Sequence, residues 1–115
     1  MPKKKLDPLP LAAFHILLSL AEGDLHGYAI MRQVEEQTTG RLRLGPGTLY
    51  SSIQALVEGG LIEEVGRSEE VDAAERRRFY RLTVAGRRVA RAEAEGMADV
   101  LRVARARKIL RGDYV

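Results

Sequence analysis

The chain has 115 residues, a formal net charge of +3 and an apolar fraction of 45%, which suits one domain with a modest core. It contains no cysteine, and this excludes a disulfide framework, a thiolate zinc site and a cysteine nucleophile. No apolar run approaches the roughly 20 residues that a membrane span needs, and the basic N-terminus lacks the apolar segment of a secretory signal. We therefore expect a cytoplasmic protein, with no metal or other cofactor.

The first part of the chain predicts an arm followed by two helices. Residues 1–8 combine lysines and prolines, a composition that discourages packing and predicts a flexible basic arm. Residues 9–20 are almost wholly apolar, so we expect a buried first helix that a partner subunit partly covers. A second helix is predicted over residues 28–38, with Tyr28 among its inward residues and His26 able to cap its start.

The stretch GPGTLYSSIQALVEG, residues 45–59, predicts the helix around which the chain is organised. Pro46 suits a first helical position, and Gly59 suits the end. Leucine, isoleucine and valine recur at helical spacing on one face. The opposite face carries hydroxyl, amide and aromatic groups, which suit either a solvated surface or a DNA major groove; it comprises Gly47, Tyr50, Ser51, Gln54 and Glu58.

A basic connector precedes this helix and a hairpin follows it. The sequence RLRL over residues 41–44 indicates a short strand or an extended connector, from which Arg41 or Arg43 can reach a phosphate. Strands are predicted over residues 61–65 and 78–82, joined by a charged segment. Helices followed by a β-hairpin predict a winged helix-turn-helix, an α+β, mostly α domain over residues 9–83.

The C-terminal region, residues 84–115, predicts a long helix capped by Thr83 and extending to Leu110. Its narrow apolar stripe is too long to be covered by so small a domain, so a two-fold dimer is the default. The alternative is a helix folded back on its own domain. The expected interface, which includes part of the first helix, comprises Leu11, Phe14, Leu18, Val89, Ala92, Gly96, Met97, Val100, Leu101, Val103 and Ala104.

Four motifs give the chain a family resemblance. They are LHGYAI at residues 25–30, GTLY at residues 47–50, LVEGGLIEE at residues 56–64, and RRFYRLT at residues 77–83, which Ala85-Gly86 follows. In this order they resemble the PadR family of bacterial transcriptional regulators, in its short form with a single C-terminal helix. Each motif is weak alone, and together they are specific.

This resemblance implies a homodimeric repressor of its own or a neighbouring operon, bound to a near-palindromic double-stranded DNA operator. The helix over residues 46–58 would enter the major groove, and the wing over residues 61–82 would touch the backbone. Ser51 stands where the family commonly has proline. Four acidic residues at the wing tip repel phosphate, which leaves the wing contact to arginines. The expected DNA contacts are Thr48, Tyr50, Ser51, Gln54, Arg43, Arg67, Arg76, Arg77 and Arg78.

Other functions remain to be weighed against this one. Short relatives often respond to hydrophobic or phenolic effectors, sometimes through a tryptophan, which this chain lacks. An effector here would have to use Phe14, Met97 or aliphatic residues. The mild net charge and acidic wing tip also fit a winged-helix protein-interaction module without specific DNA binding. We expect no enzyme, because neither histidine has an evident nucleophile partner and no glycine-rich phosphate loop follows a strand.

Overall fold

The computed structural model describes residues 6–67 and 78–111, within which helices pack against a small sheet. The helices are α1 (Leu11–Ser19), α2 (Gly27–Gln37), α3 (Pro46–Glu58) and α4 (Val84–Ala106). The strands are β1 (Leu25–His26), β2 (Ile62–Arg67) and β3 (Arg78–Leu82). This order is that of a winged helix-turn-helix, an α+β fold in which helix predominates, so the predicted fold class is confirmed.

Side-chain caps set the starts of two helices, as the sequence predicts. His26 Nδ1 accepts a hydrogen bond from the Ala29 amide at 3.1 Å at the start of α2. Thr83 Oγ1 accepts one from the Gly86 amide at 3.0 Å at the start of α4. Each bond satisfies an amide that has no partner within its helix.

The predicted end of the last helix is wrong by four residues, since α4 stops at Ala106 rather than Leu110. Lys108 has a φ of 62°, in the left-handed region. The amides of Ile109 and Leu110 then turn back to the Ala104 carbonyl at 2.9 and 3.2 Å. This left-handed turn satisfies a terminal carbonyl and ends the helix.

The sheet is antiparallel, in the order β1-β3-β2, with β3 at its centre. β2 and β3 form the wing, and a bulge lies between Glu64 and Gly66. β1 pairs Leu25 with Tyr80 and His26 with Phe79. The sequence reading missed β1, because two residues are too few to show a period and their partners lie more than fifty positions away.

The hydrophobic core lies where α1, α2 and α3 meet the base of the sheet. Its fully buried side chains include Ile16, Leu17, Ile30, Val34, Leu49, Leu56 and Ile62. Leu6, within the predicted arm, packs against this core, while residues 1–5 lie outside the described part of the chain. Residues 41–45 form an extended connector, in which Leu44 is buried.

The first turn of α4 is docked tightly on the base of the wing. A Cβ at Gly86 would collide with the Leu61 carbonyl oxygen. Thr83 reinforces this junction, because its amide donates to the Leu61 carbonyl at 3.1 Å and its hydroxyl donates to the Gly60 carbonyl at 2.7 Å. In the described residues, no helix is both long and apolar enough to cross a bilayer.

Candidate nucleic-acid interface

Helix α3 separates its residues into a buried face and an exposed one. Leu49, Ile53 and Leu56 are buried in the core, although Val57, predicted to share their stripe, is 38% exposed. The opposite face is open to solvent and carries Thr48, Tyr50, Ser51 and Gln54. Within residues 6–67 and 78–111, these exposed groups make only local hydrogen bonds, such as Gln54 Nε2 to Glu58 Oε2 at 3.3 Å, so they are available to another partner.

Tyr50 lies across the start of α2. A Cβ built on Gly27 would be 2.6 Å from the Tyr50 hydroxyl oxygen and 3.0 and 3.1 Å from two atoms of its ring. Gly27 is buried, whereas Tyr50 remains 52% exposed. Because Gly27 has no side chain, the Tyr50 ring can lie directly against the backbone of α2 on one side. The other side of the ring faces solvent.

Aromatic rings connect the start of α2 with the wing. His26 stacks against Tyr28, with centroids 6.5 Å apart, and meets Phe79 edge-on, with centroids 5.5 Å apart. The Arg32 guanidinium lies 5.9 Å from the centroid of the Tyr28 ring, within cation–π range.

The predicted inward position of Tyr28 is wrong, because this side chain is 54% exposed. The buried side of α2 is instead formed by Gly27, Ile30 and Val34, which follow each other at helical spacing. At about 100° per residue, Tyr28 lies about 200° around α2 from Ile30, on the side of the helix that faces solvent. Tyr28 is thus a second exposed tyrosine besides Tyr50, and unlike Tyr50 it was not among the predicted DNA contacts.

Two predicted phosphate contacts, Arg43 and Arg78, are exposed arginines. Arg43 Nε lies 3.7 Å from Glu35, and Arg78 Nη1 lies 3.9 Å from Glu64. Such exposed pairs are weak, so either guanidinium can exchange its carboxylate for a phosphate. The backbone of Arg67 pairs with Arg78 in the β2–β3 ladder. The remaining predicted wing contacts, Arg76 and Arg77, and the acidic tip at Glu69, Glu70, Asp72 and Glu75, lie outside the described residues.

Two neighbouring side chains of β3 have structural partners. Arg81 donates to the Asp24 carboxylate from Nε at 3.2 Å and from Nη2 at 3.0 Å, and these bonds raise the pKa of Arg81. Burial, and secondly the Glu64 carboxylate, raise the pKa of Tyr80, which therefore stays protonated at neutral pH. Arg81 ties the wing to the turn before β1, and Tyr80 belongs to the core.

The predicted dimer residues fall into three groups, which are exposed, buried and half-buried. Most are exposed in the single subunit, including Val100 at 66% and Leu11 at 57%. Phe14 is only 4% exposed and packs within its own subunit, so it has little surface left for a partner or an effector. Val89 and Ala104 are half-buried, and the exposed members are Leu11, Leu18, Ala92, Gly96, Met97, Val100, Leu101 and Val103.

The described residues offer no assembled metal centre, because no three of their His, Asp or Glu side chains are grouped to hold an ion. His15 is half-buried in α1, and the Gln37 amide nitrogen lies 3.1 Å from its Nδ1 and 2.8 Å from its carbonyl oxygen. Burial lowers the pKa of His15. This histidine thus joins α1 to α2.

The fold and the polar face of α3 define a winged helix-turn-helix protein. The chain belongs to the PadR-like family of transcriptional regulators, whose family model, described as "Transcriptional regulator PadR-like family", matches residues 16–92. The resemblance carried by the four sequence motifs is confirmed.

Three relatives show how far the likeness extends. An uncharacterized 37.1 kDa transposon protein of Streptomyces fradiae is 42% identical over 86 residues, covering 72% of this chain and 22% of its own length. This chain thus spans about a fifth of that curated relative. A PadR family regulator from Clostridium difficile is 25% identical, with a TM-score of 0.72 and coverage of 84% of this chain and 97% of that one. Bacillus subtilis PadR in complex with operator DNA is 20% identical, with a TM-score of 0.63 and coverage of 74% and 47%.

Proposed function

We propose that this transcriptional regulator is a cytoplasmic homodimeric repressor of its own or a neighbouring operon, without enzymatic activity. Helix α3 enters the major groove of a near-palindromic operator, and the β2–β3 wing lies at the DNA backbone. One observation carries the proposal: α3 buries its apolar face and leaves Thr48, Tyr50, Ser51 and Gln54 together on an open face.

The chemistry of this face suits duplex DNA. The Gln54 amide can read an adenine edge, and hydroxyl groups can bind base edges or phosphates. Arg43 just before α3 and Arg78 on the wing are exposed and supply charge for the backbone. The shared fold with Bacillus subtilis PadR, which was solved with operator DNA, supports the same mode of binding.

A homodimer gives the operator its symmetry. Two α3 helices that read successive major grooves on one side of DNA lie about 34 Å apart. The exposed apolar stripe of α4 supports such an assembly, because a lone subunit would leave it in water. A hydrophobic or phenolic effector at this interface would contact Met97 and aliphatic side chains. It would not contact Phe14, because that side chain is buried in its own subunit.

Binding to the DNA fragment upstream of this gene tests the proposal. Fluorescence anisotropy should show specific binding whose affinity falls steeply as salt rises. Tyr50→Ala should weaken binding to this fragment by about tenfold while leaving binding to random DNA and the thermal unfolding curve unchanged. Arg43→Gln should weaken binding to both DNAs, and Arg91→Gln, an exposed arginine of α4, serves as the matched control.

Two results would count against this function. An unchanged operator footprint for Tyr50→Ala would mean that α3 does not contact the operator as proposed. Equal affinity for the upstream fragment and random DNA would instead favour a winged-helix protein-interaction module that lacks specific DNA binding.

A further inference from the structure

An open cavity of about 520 Å³ lies between α1 and the connector that leads to α3. Helix α1 contributes Leu11 and His15 to its walls, the end of α2 contributes Gln37, and the connector contributes Arg41 and Leu42. The volume falls within the range of about 300–1,000 Å³ that is usual for small-molecule sites. Neither the predicted DNA-binding face of α3 nor the apolar stripe of α4 includes this cavity.

The charge of this cavity is positive. Of the described residues that line it, none is acidic, and Arg41 is the one strong base. The Arg41 guanidinium is exposed and forms no ion pair or hydrogen bond within residues 6–67 and 78–111. Arg43, two residues further on, has Glu35 at 3.7 Å. An unpaired guanidinium at a cavity suits a carboxylate, which it can bind through two parallel hydrogen bonds.

His15 adds a hydrogen-bond donor to the wall. The Gln37 side-chain nitrogen lies 2.8 Å from the His15 carbonyl oxygen, where only an N–H group can donate. The same nitrogen lies 3.1 Å from His15 Nδ1, so Nδ1 accepts a hydrogen bond. Because burial lowers the pKa of His15, the ring is neutral at neutral pH and its proton lies on Nε2. This Nε2–H has no partner in the described part of the chain and is available to a ligand.

The rest of the cavity offers a hydroxyl and aliphatic surface. Thr39 lines it with a φ of 53°, a left-handed conformation that is costly for a β-branched residue. The Thr39 hydroxyl makes no hydrogen bond to another described residue. Leu11 and Leu42 supply apolar walls, and among the described lining residues the His15 imidazole is the one ring. An anion with an aliphatic body fits this combination better than an inorganic ion does.

We infer that this cavity binds a small aliphatic carboxylate and that the bound ligand weakens operator binding. The carboxylate meets the Arg41 guanidinium and the Thr39 hydroxyl, and the tail lies against Leu11 and Leu42. The binding site stands on its own contacts, whereas the effect on operator binding rests on the proposed function.

The connector joins this cavity to the proposed DNA-binding surface. Thr38 Oγ1 accepts a hydrogen bond from the Leu42 amide at 3.0 Å, which ties one wall of the cavity to the end of α2. Leu44 is buried, and α3 begins two residues later at Pro46. A carboxylate at Arg41 cancels one positive charge of the connector and sets a negative charge near the phosphates that Arg43 is proposed to contact. DNA affinity therefore falls, because it depends on the positive charge that meets the backbone.

Octanoate, titrated into the full chain without DNA and below its micelle-forming concentration, tests the binding site. Isothermal titration calorimetry should show saturable binding, and octanamide, which has a similar shape without the charge, should bind about tenfold more weakly. Arg41→Gln should weaken octanoate binding by about tenfold. Arg91→Gln, an exposed arginine of α4, is the matched control and should bind octanoate as the wild type does.

A second variant separates loss of the ligand from loss of the fold. Thr39→Gly removes the hydroxyl but suits the left-handed φ, so it should weaken octanoate binding by about threefold without lowering the unfolding midpoint.

NMR spectra locate the bound ligand. Octanoate should shift the amide signals of Thr39, Arg41 and Leu42. Shifts centred on Met97 instead would place the ligand in the shallow depression on α4 and overturn the proposed site. Equal affinities for octanoate and octanamide, or no saturable binding up to about 10 mM, would also overturn it.

Operator binding in the presence of octanoate tests the regulatory effect. Saturating octanoate should lower the affinity of the wild type for the upstream fragment by about fivefold, and DNA should lower the affinity for octanoate by the same factor. Arg41→Gln should lose this coupling. Octanoate that binds at Arg41 but leaves operator affinity unchanged would overturn the regulatory effect, while the site and the proposed function stand. A chain that binds octanoate but shows no specific DNA binding would overturn the proposed function and the regulatory effect, while the site stands.

Discussion

The two ends of the molecule hold their apolar residues in opposite ways. In the winged-helix body, Leu56 of α3 is fully buried among side chains from the same subunit. In the outer half of α4, Val100 is mostly exposed, and the residues around it contact little of their own chain. The body thus covers its apolar residues with its own side chains, whereas the apolar stripe in the outer half of α4 is left for the proposed second subunit.

The largest expected effect is a loss of stability in the winged-helix body that leaves α4 unchanged. Leu56→Ala should lower the free energy of unfolding by about 2–5 kcal/mol, because it leaves a cavity in a packed core. Val100→Ala should alter only the part of stability that depends on protein concentration. Urea unfolding at two protein concentrations checks both variants. An equally large loss for Val100→Ala in dilute solution would contradict the comparison.

A smaller effect concerns how the body positions Tyr50. Gly27→Ala adds a methyl group where the Tyr50 hydroxyl now lies, so the ring must move. Because alanine favours helix and the φ of Gly27 is not positive, the fold should be retained. We expect operator affinity to fall by about three- to tenfold, with little change in the unfolding midpoint.

A double-mutant cycle distinguishes this role from a general structural one. In a Tyr50→Ala background, Gly27→Ala should have no further effect on operator affinity, because the ring it displaces is absent. Gly23→Ala, at a turn with open space around it, is the matched control. Additive losses in the double variant would mean that Gly27 acts by another route.

The smallest effect is a pH dependence at the α1–α2 contact. Burial lowers the pKa of His15 below its ordinary value of 6.5, so the unfolded chain binds this proton more readily. The contribution of His15 to stability is therefore full above pH 6.5 and declines as pH falls toward the folded pKa. NMR titration of the imidazole should give a midpoint below 6.5, and a midpoint above it would reverse the sign.

Local signals predicted most of the helices, because caps and prolines act on neighbouring residues. Pro46 and Gly59 bounded α3 correctly, and His26 and Thr83 were recognised as caps. The two features that the sequence did not predict correctly, β1 and the end of α4, have other causes. β1 depends on pairing with distant β3, and the end of α4 depends on the backbone conformation of Lys108.

The candidate site was predictable in its composition but less so in its arrangement. Helical periodicity alone assigned Ser51 and Gln54 to an open face, where they lie. The support that Gly27 gives to Tyr50 joins residues 23 positions apart on two helices, and no pattern in the sequence indicates that contact. Whether this face binds DNA stays a prediction.

The collision that any side chain at Gly86 would suffer has a mechanical consequence. Only Thr83 separates β3 from α4, and its hydrogen bonds clamp the junction to Leu61 and Gly60. No flexible loop therefore separates α4 from the winged-helix body, and the two move as one rigid unit. In the proposed homodimer, a change in the angle at which the two α4 helices cross would turn each winged-helix body and so alter the distance between the two α3 helices.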